Sequence, residues 1–437
     1  MLKKAITFIV AIPLFLFLVF LVYNLPPIHD RLAWRVDELR TRLVYAFNPP
    51  DEAVFVPQGA ARPDLPTPRI ITLLPTPSPA PTQAGPTETS AATPTPTIIP
   101  TPIPDSVFLT GVKYEDQHGR WNYCGPANLS MALTFWGWEG DRDVVGAYVK
   151  PEDKDKNVMP YEMQDFAETQ AGGFSAVVRF GGDIEVITRL IAGGFPVVAE
   201  KGYYEYDYTG KLGWLGHYQF VTGYDEKQDV LIVQDTYVKD GKDHRISYAE
   251  FLEGWRSFNY LFLVVYPQER STEVNALLGN YADPAWATQH ALAVAQTEVN
   301  TLSGIDQFFA IFNEGTSLTN LQQYPDAAAA FDRAFALYPN LPDDYSRPYR
   351  ILWYQTWPYW AYYYSGRYQD VINLADTTLY ETISEPVLEE SFYWRALARE
   401  ALGDLQGAID DLRQSVRLNP NFSPGWDQLA RLEGGGG

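Results

Sequence analysis

The chain has 437 residues, 46% of them apolar, which is enough to bury cores in two or three domains. Lys and Arg number 33 against 54 Asp and Glu, and the formal net charge of -21 repels nucleic-acid phosphates and anionic membrane surfaces, so no nucleic-acid partner is expected. Cys124 is the sole cysteine, which excludes intramolecular disulfides and multi-cysteine zinc or iron–sulfur sites, and five histidines leave little for a histidine-rich metal centre.

Residues 5–23 form a 19-residue run without charge, after Lys3 and Lys4. As a helix rising ~1.5 Å per residue, such a run just spans a bilayer core. A cleaved signal peptide is the rival reading, but the run ends in Tyr23, Asn24, Leu25, Pro26 and Pro27 without a small-residue cleavage site. An uncleaved transmembrane anchor over residues 1–26 is therefore expected. Residues 27–62 read as a juxtamembrane helix and spacer, with Leu32, Val36, Leu39 and Leu43 at helical spacing. Residues 63–104 hold 13 of the 33 prolines and ten threonines. Proline removes backbone donors and fixes φ, so residues 63–105 read as an extended stalk reaching on the order of 130 Å at ~3.1 Å per residue. A stalk makes most sense outside the cell membrane, and the remainder of a single-pass chain is expected on the extracytoplasmic side.

Residues 106–269 turn globular. Gly125 and Pro126 after Cys124 suit a turn into a helix, and the apolar residues Leu129, Met131, Ala132, Leu133, Phe135 and Trp136 continue it. A thiol at a helix N-terminus is shifted toward thiolate by the positive end of the helix dipole. A thiolate nucleophile needs a base, a group that orients the base, and donors for an oxyanion. His217 precedes a β-rich run, Asp235 ends a second one, and the polar segment 225–229 lies between them, which predicts an antiparallel hairpin. Pairing Asp235 with either Gln219 or His217 leaves His217 and Asp235 on one sheet face. Gln117, seven residues before Cys124, carries a side-chain donor for an oxyanion beside the Cys124 N–H. Tyr203, Tyr204 and Trp214 crowd the approach to His217 and are candidates for an aromatic cleft wall, with loop packing as the alternative. Asp153, Asp155 and Asn157 hint at a calcium loop, but Val158 and Gln164 stand where that loop needs glycine and glutamate. No metal and no cofactor is expected.

Gln117, the NYCGPA run around Cys124, GHYQFVTGYD with His217 and VQDTY with Asp235 resemble the C-thirty-nine-like papain-fold cysteine peptidases. These are relatives of the peptidases that remove double-glycine leaders from bacteriocins. The resemblance runs over residues 108–268 and implies an α+β papain-like domain. It also implies Cys124 as nucleophile, His217 as base, Asp235 as the orienting residue and Gln117 as oxyanion donor.

Residues 270–437 read as an all-α domain. From residue 271 onward there is no lysine, and nine arginines face 21 acidic residues. Segments 324–340, 366–379 and 403–421 place small and apolar residues at matching helical intervals, with Pro339 and Pro420 closing two of them. They resemble degenerate tetratricopeptide repeats, and Leu429 and Leu432 fall in a last capping helix. Eleven aromatic residues lie between Tyr345 and Tyr368, either as core or as a groove for a ligand.

Together these readings predict a membrane-anchored extracytoplasmic cysteine peptidase acting on peptide or amide bonds through an acyl-enzyme. Its helical repeats would recognise a protein substrate or partner. The same parts serve an amidase or a transpeptidase. A non-catalytic surface scaffold or adhesion protein with a degenerate peptidase domain is the reading from another class.

Overall fold

The computed structural model describes residues 103–206, 212–342, 347–383 and 385–434, with scattered positions between residues 15 and 55. The expected stalk lies outside the described residues apart from its end at Ile103, Pro104 and Asp105, and so does most of the expected anchor. Residues 17–23 are helical, and among the described residues no helix is long and apolar enough to cross a membrane.

The first globular part is a seven-stranded antiparallel sheet flanked by helices. In chain order it contains β1 (Ser106–Phe108), α1 (Cys124–Phe135), α2 (Arg142–Val149), α3 (Pro160–Asp165), β2 (Phe174–Arg179) and α4 (Ile184–Ala192). There follow β3 (Val197–Tyr206), β4 (Leu212–Asp225), β5 (Val230–Asp235), β6 (His244–Ser247), α5 (Tyr248–Arg256) and β7 (Phe262–Pro267). The strand order is β2-β7-β3-β4-β5-β6, with β1 paired to the far end of β4. Alternation along the strands gives the sheet two apolar faces. Val198, Tyr218, Phe220 and Val265 pack on one side with Leu129, Leu133 and Met163 of α1 and α3. Val197, Val221, Leu231 and Val264 pack on the other with Ile187 and Leu190 of α4 and Trp255 of α5.

The remainder is helical: α6 (Ser271–Leu278), α7 (Pro284–Thr301), α8 (Gly304–Asn320), α9 (Tyr324–Leu337), α10 (Ile351–Tyr354), α11 (Trp357–Tyr364), α12 (Tyr368–Asp376), α13 (Glu389–Ala401), α14 (Leu405–Leu418) and α15 (Ser423–Gly434). The three self-similar segments form the second helices of the pairs α8–α9, α11–α12 and α13–α14. Small residues let these pairs approach closely: a Cβ at Gly315 of α8 would run into the Phe331 ring of α9. The aromatic-rich segment mostly fills core, since Trp353, Tyr354, Tyr359 and Tyr362 are buried, whereas Trp360 and Tyr364 are exposed. One hydrophobic cluster unites Trp214, Phe258 and Leu261 of the sheet domain with Phe308, Phe331 and Tyr359 of the helical region. The two parts therefore share a core.

Candidate active site

Cys124 is the first residue of α1 and is partly exposed. Asn128, one turn further on, is fully buried, and its Nδ2 donates to the Cys124 carbonyl at 2.8 Å and to the Tyr218 carbonyl at 2.9 Å. This side chain pins the start of α1 to β4 at the residue after His217. Sequence reading passed over Asn128, although an asparagine inside the apolar run after Cys124 was a usable signal. Asn128→Ala leaves two carbonyls without that donor. It is expected to lower unfolding free energy by about 1–3 kcal/mol in a denaturant titration and to slow Cys124 alkylation.

On the β4–β5 hairpin, Gln219 pairs with Asp235, and a register shift between Val221 and Gly223 sets the remaining ladder. His217 lies two residues before Gln219 and so shares its face. His217 Nε2 is 3.1 Å from Asp235 Oδ1, and both side chains are buried. The other Asp235 oxygen accepts from Gln219 Nε2 at 2.6 Å, and Oδ1 also accepts from the Tyr237 N–H at 2.8 Å. Burial alone would raise the Asp235 pKa. The charge and hydrogen bond of His217, with Gln219 and the Tyr237 N–H, outweigh burial and hold it well below the ordinary carboxylate value. Burial likewise opposes the imidazolium, but Asp235 and Cys124 push the His217 pKa up to about 10.

With Nε2 turned to Asp235, Nδ1 is the nitrogen left for the thiol, and His217 and Cys124 lie close enough for each to shift the other's pKa. Burial resists ionisation of Cys124. The His217 hydrogen bond and charge, with the backbone N–H groups of Tyr218 and Gly125, overcome it and lower the thiol pKa. Glu200, on β3, is almost wholly buried, with Oε1 unpartnered among the described residues. Burial first, then the adjacent Cys124 charge, push its pKa well above the ordinary carboxyl value.

Gln117 lies between β1 and α1. Its backbone N–H donates to the Thr236 carbonyl at 2.9 Å, and its Oε1 accepts from Thr236 Oγ1 at 2.9 Å. Thr236 thereby occupies the acceptor end of the amide and leaves Nε2 as its donor end. The structure thus ties Gln117 to the residue after Asp235 and joins Cys124, His217 and Asp235 in one line.

The aromatic candidates separate. The Tyr203 ring stands edge-on to His217 at 5.7 Å, and Tyr237, not singled out from sequence, does so at 6.2 Å from the other flank. Tyr204 is exposed on the opposite sheet face, as its odd spacing from Tyr203 requires. Trp214 corrects the expectation of a cleft wall. It is only 1% exposed and stacks on Phe258 at 5.6 Å, because three residues from His217 along a strand means the opposite face. Lys201 pairs with His217 in the ladder, and burial lowers its pKa to about 8. Among the described residues, Glu162, Glu389 and Glu390 are the group whose ligand atoms lie close enough to hold a metal, within 4.8 Å of one another. They sit where α3 meets α13.

Residues 109–262 match the Peptidase_C39 like family, and residues 390–421 match a tetratricopeptide repeat. The chain thus carries a C39-like peptidase-family domain followed by a helical region with a tetratricopeptide repeat. Among solved structures it is similar to a putative C39-like peptidase from Bacillus anthracis, at 18% identity over 37% of this chain and 97% of that one, with a TM-score of 0.30. It is also similar to MamA 41-end from Desulfovibrio magneticus RS-1, at 15% identity over 41% and 85% with a TM-score of 0.29. A MamA RS-1 ArsTM double mutant is similar at 16% identity over 33% and 74%, with a TM-score of 0.28. No curated protein matches the chain.

Proposed function

We propose that this chain is a membrane-anchored, extracytoplasmic cysteine peptidase whose helical repeats hold a protein substrate or partner. The observation that carries the reading is the continuous line from Cys124 through His217 to Asp235, with the thiol pKa lowered and the imidazole pKa raised. In that state the thiolate attacks a peptide carbonyl carbon. The oxyanion takes hydrogen bonds from the Cys124 N–H and from Gln117 Nε2. The imidazolium of His217 gives its proton to the leaving amine as the C–N bond breaks, leaving a thioester on Cys124. Water then attacks the thioester, His217 takes its proton, and the acyl group leaves as a carboxylic acid while the thiol is restored. An amine in place of water gives transpeptidation by the same steps. The anchor and the outward location rest on the uncharged run over residues 5–23 and the proline-rich stalk after it.

The test is the pH dependence of Cys124 alkylation by iodoacetamide on the full-length chain in detergent, with His217→Ala as comparison. The lone cysteine makes the readout unambiguous. The wild type is expected to react with an acid limb well below the free-thiol value of about 8.5, and the variant with a limb near it. An ordinary thiol in the wild type, indifferent to His217, would overturn the peptidase in favour of a non-catalytic scaffold.

A further inference from the structure

Strand β4 reaches His217 through Gly213, Trp214, Leu215 and Gly216. Strand β5 pairs with β4 only from Gln219 onward, so among the described residues the same edge of β4 has no strand partner just before His217. An unpaired strand edge leaves backbone donors and acceptors to be satisfied by something else. Here the helical region supplies it. Arg350 Nη1 donates to the Trp214 carbonyl at 3.2 Å, and the Tyr354 side chain lies against Gly216, its hydroxyl on the side of the Gly216 N–H. Carbonyl and N–H groups two residues apart face the same edge, so both contacts cover a single stretch of backbone.

The glycines at this edge follow from the same contact. A Cβ at Gly216 would meet the Phe258 and Tyr354 rings, and one at Gly213 would meet the Arg350 guanidinium. Tyr354 is buried edge-on against Trp214 at 5.7 Å and Phe258 at 6.0 Å. Next to it, Gln355 Nε2 donates to the Ser257 carbonyl at 2.7 Å. Arg350 and Tyr354 thus hold β4 immediately upstream of His217, and Gln355 ties the same segment to the residue that follows α5. The pKa of Tyr354 points the same way: burial raises it most, Arg350 opposes, and the nearby Cys124 charge raises it further.

We propose that Tyr354, contributed by the helical region, is a positioning residue of the Cys124–His217 site, so that this region completes the catalytic centre as well as holding partners. The proposal rests on the peptidase reading above. Without the hydroxyl the Gly216 N–H loses the polar group set beside it, the β4 edge relaxes, and His217 shifts relative to the sulfur. A hydrogen-bonded thiolate–imidazolium pair is sensitive to a displacement of that kind.

The experiment compares wild type, Tyr354→Phe and Tyr362→Phe in the alkylation assay on the full-length chain. Tyr362 also lies in the helical region, but its hydroxyl bonds Asp332 at 2.9 Å. Tyr354→Phe is expected to move the acid limb of Cys124 alkylation upward by about half a pH unit, roughly a threefold loss of thiolate below the midpoint. Tyr362→Phe is expected to superimpose on the wild type. Gly216→Ala, which drives a methyl group into the Tyr354 ring, is expected to shift the limb in the same direction as Tyr354→Phe. Tyr354→Phe and Gly216→Ala limbs coincident with a depressed wild-type limb would overturn this proposal and leave the peptidase reading standing. A faster-reacting Tyr354→Phe would also overturn it, since the segment would then be restraining the site. An ordinary, His217-independent thiol in the wild type would instead overturn the reading on which both stand.

Discussion

Asp235→Asn is expected to lower turnover of any peptide the wild type cleaves by ~10³–10⁴-fold, the loss typical when the orienting carboxylate of a catalytic histidine becomes an amide. Asp235 Oδ1 takes bonds from His217 and the Tyr237 N–H while Oδ2 takes one from Gln219, and an amide cannot accept at both ends. His217 would also lose the charge that raises its pKa to about 10, and would fall back toward ~6.5. The thiolate would then lose its imidazolium, and the acid limb of Cys124 would climb toward ~8.5. Stability follows with a definite sign. Asp235 is depressed in the folded state, so its contribution is present above the unfolded value of ~3.9 and is lost as pH falls through its folded pKa. His217 is raised, so its contribution is full below ~6.5 and is lost as pH rises through about 10. The stability gap between wild type and Asp235→Asn should therefore be widest between pH ~4 and ~6.5. Denaturant titrations across that range, beside turnover and alkylation, test both halves. Unchanged turnover with an unchanged alkylation limb would remove Asp235 from the mechanism.

Much of this arrangement was legible because it depends on local rules. The Gly-Pro pair after Cys124 marks a helix start, and α1 begins at Cys124 itself. The polar segment 225–229 marks the turn of the β4–β5 hairpin, and period two alone puts His217 and Asp235 on one face. The choice of Gln219 as the partner of Asp235 was not legible, because it depends on the register shift at Val221 and Gly223. Trp214 was misjudged through nearness in sequence, when its odd spacing from His217 already assigned it to the other face. Asn128 was missed because its second partner, the Tyr218 carbonyl of β4, lies 90 residues away in the chain. The docking of α10 on β4 is of the same kind. It joins residues about 140 apart in the chain, and no periodicity in either segment announces the other.

That long-range contact surface carries a second large effect. Where α3 meets the start of α13, Glu162, Glu389 and Glu390 converge, with Asp155 close by. Asn419 Nδ2 donates to Glu162 at 2.9 Å and to Glu389 at 2.8 Å, and the Tyr161 hydroxyl donates to Glu390 at 3.0 Å. Lys150 is buried nearby, but its ammonium donates to the Glu152 and Asp153 carbonyls. Burial first, then the neighbouring carboxylates, push Glu389 up to about 8 and Glu390 up to about 7, and Asp155 and Glu162 are raised as well. A carboxyl raised on folding contributes stability below its unfolded value of ~4.3 and loses it as pH rises through the folded pKa. The full-length chain is therefore expected to lose on the order of a few kcal/mol between pH 5 and pH 8 in denaturant titrations. The positive end of the α13 dipole softens this loss without reversing it, since such a terminus is worth at most ~2 kcal/mol. Glu389→Gln with Glu390→Gln keeps the shape and removes the titrating protons, so the double variant should be the more stable protein at pH 8 and nearly level with wild type at pH 5. Parallel pH profiles for the two proteins would mean that these carboxylates ionise without strain. The two halves of the chain would then be held together by the shared apolar core around Trp214 and Phe258, with no electrostatic brake at this corner.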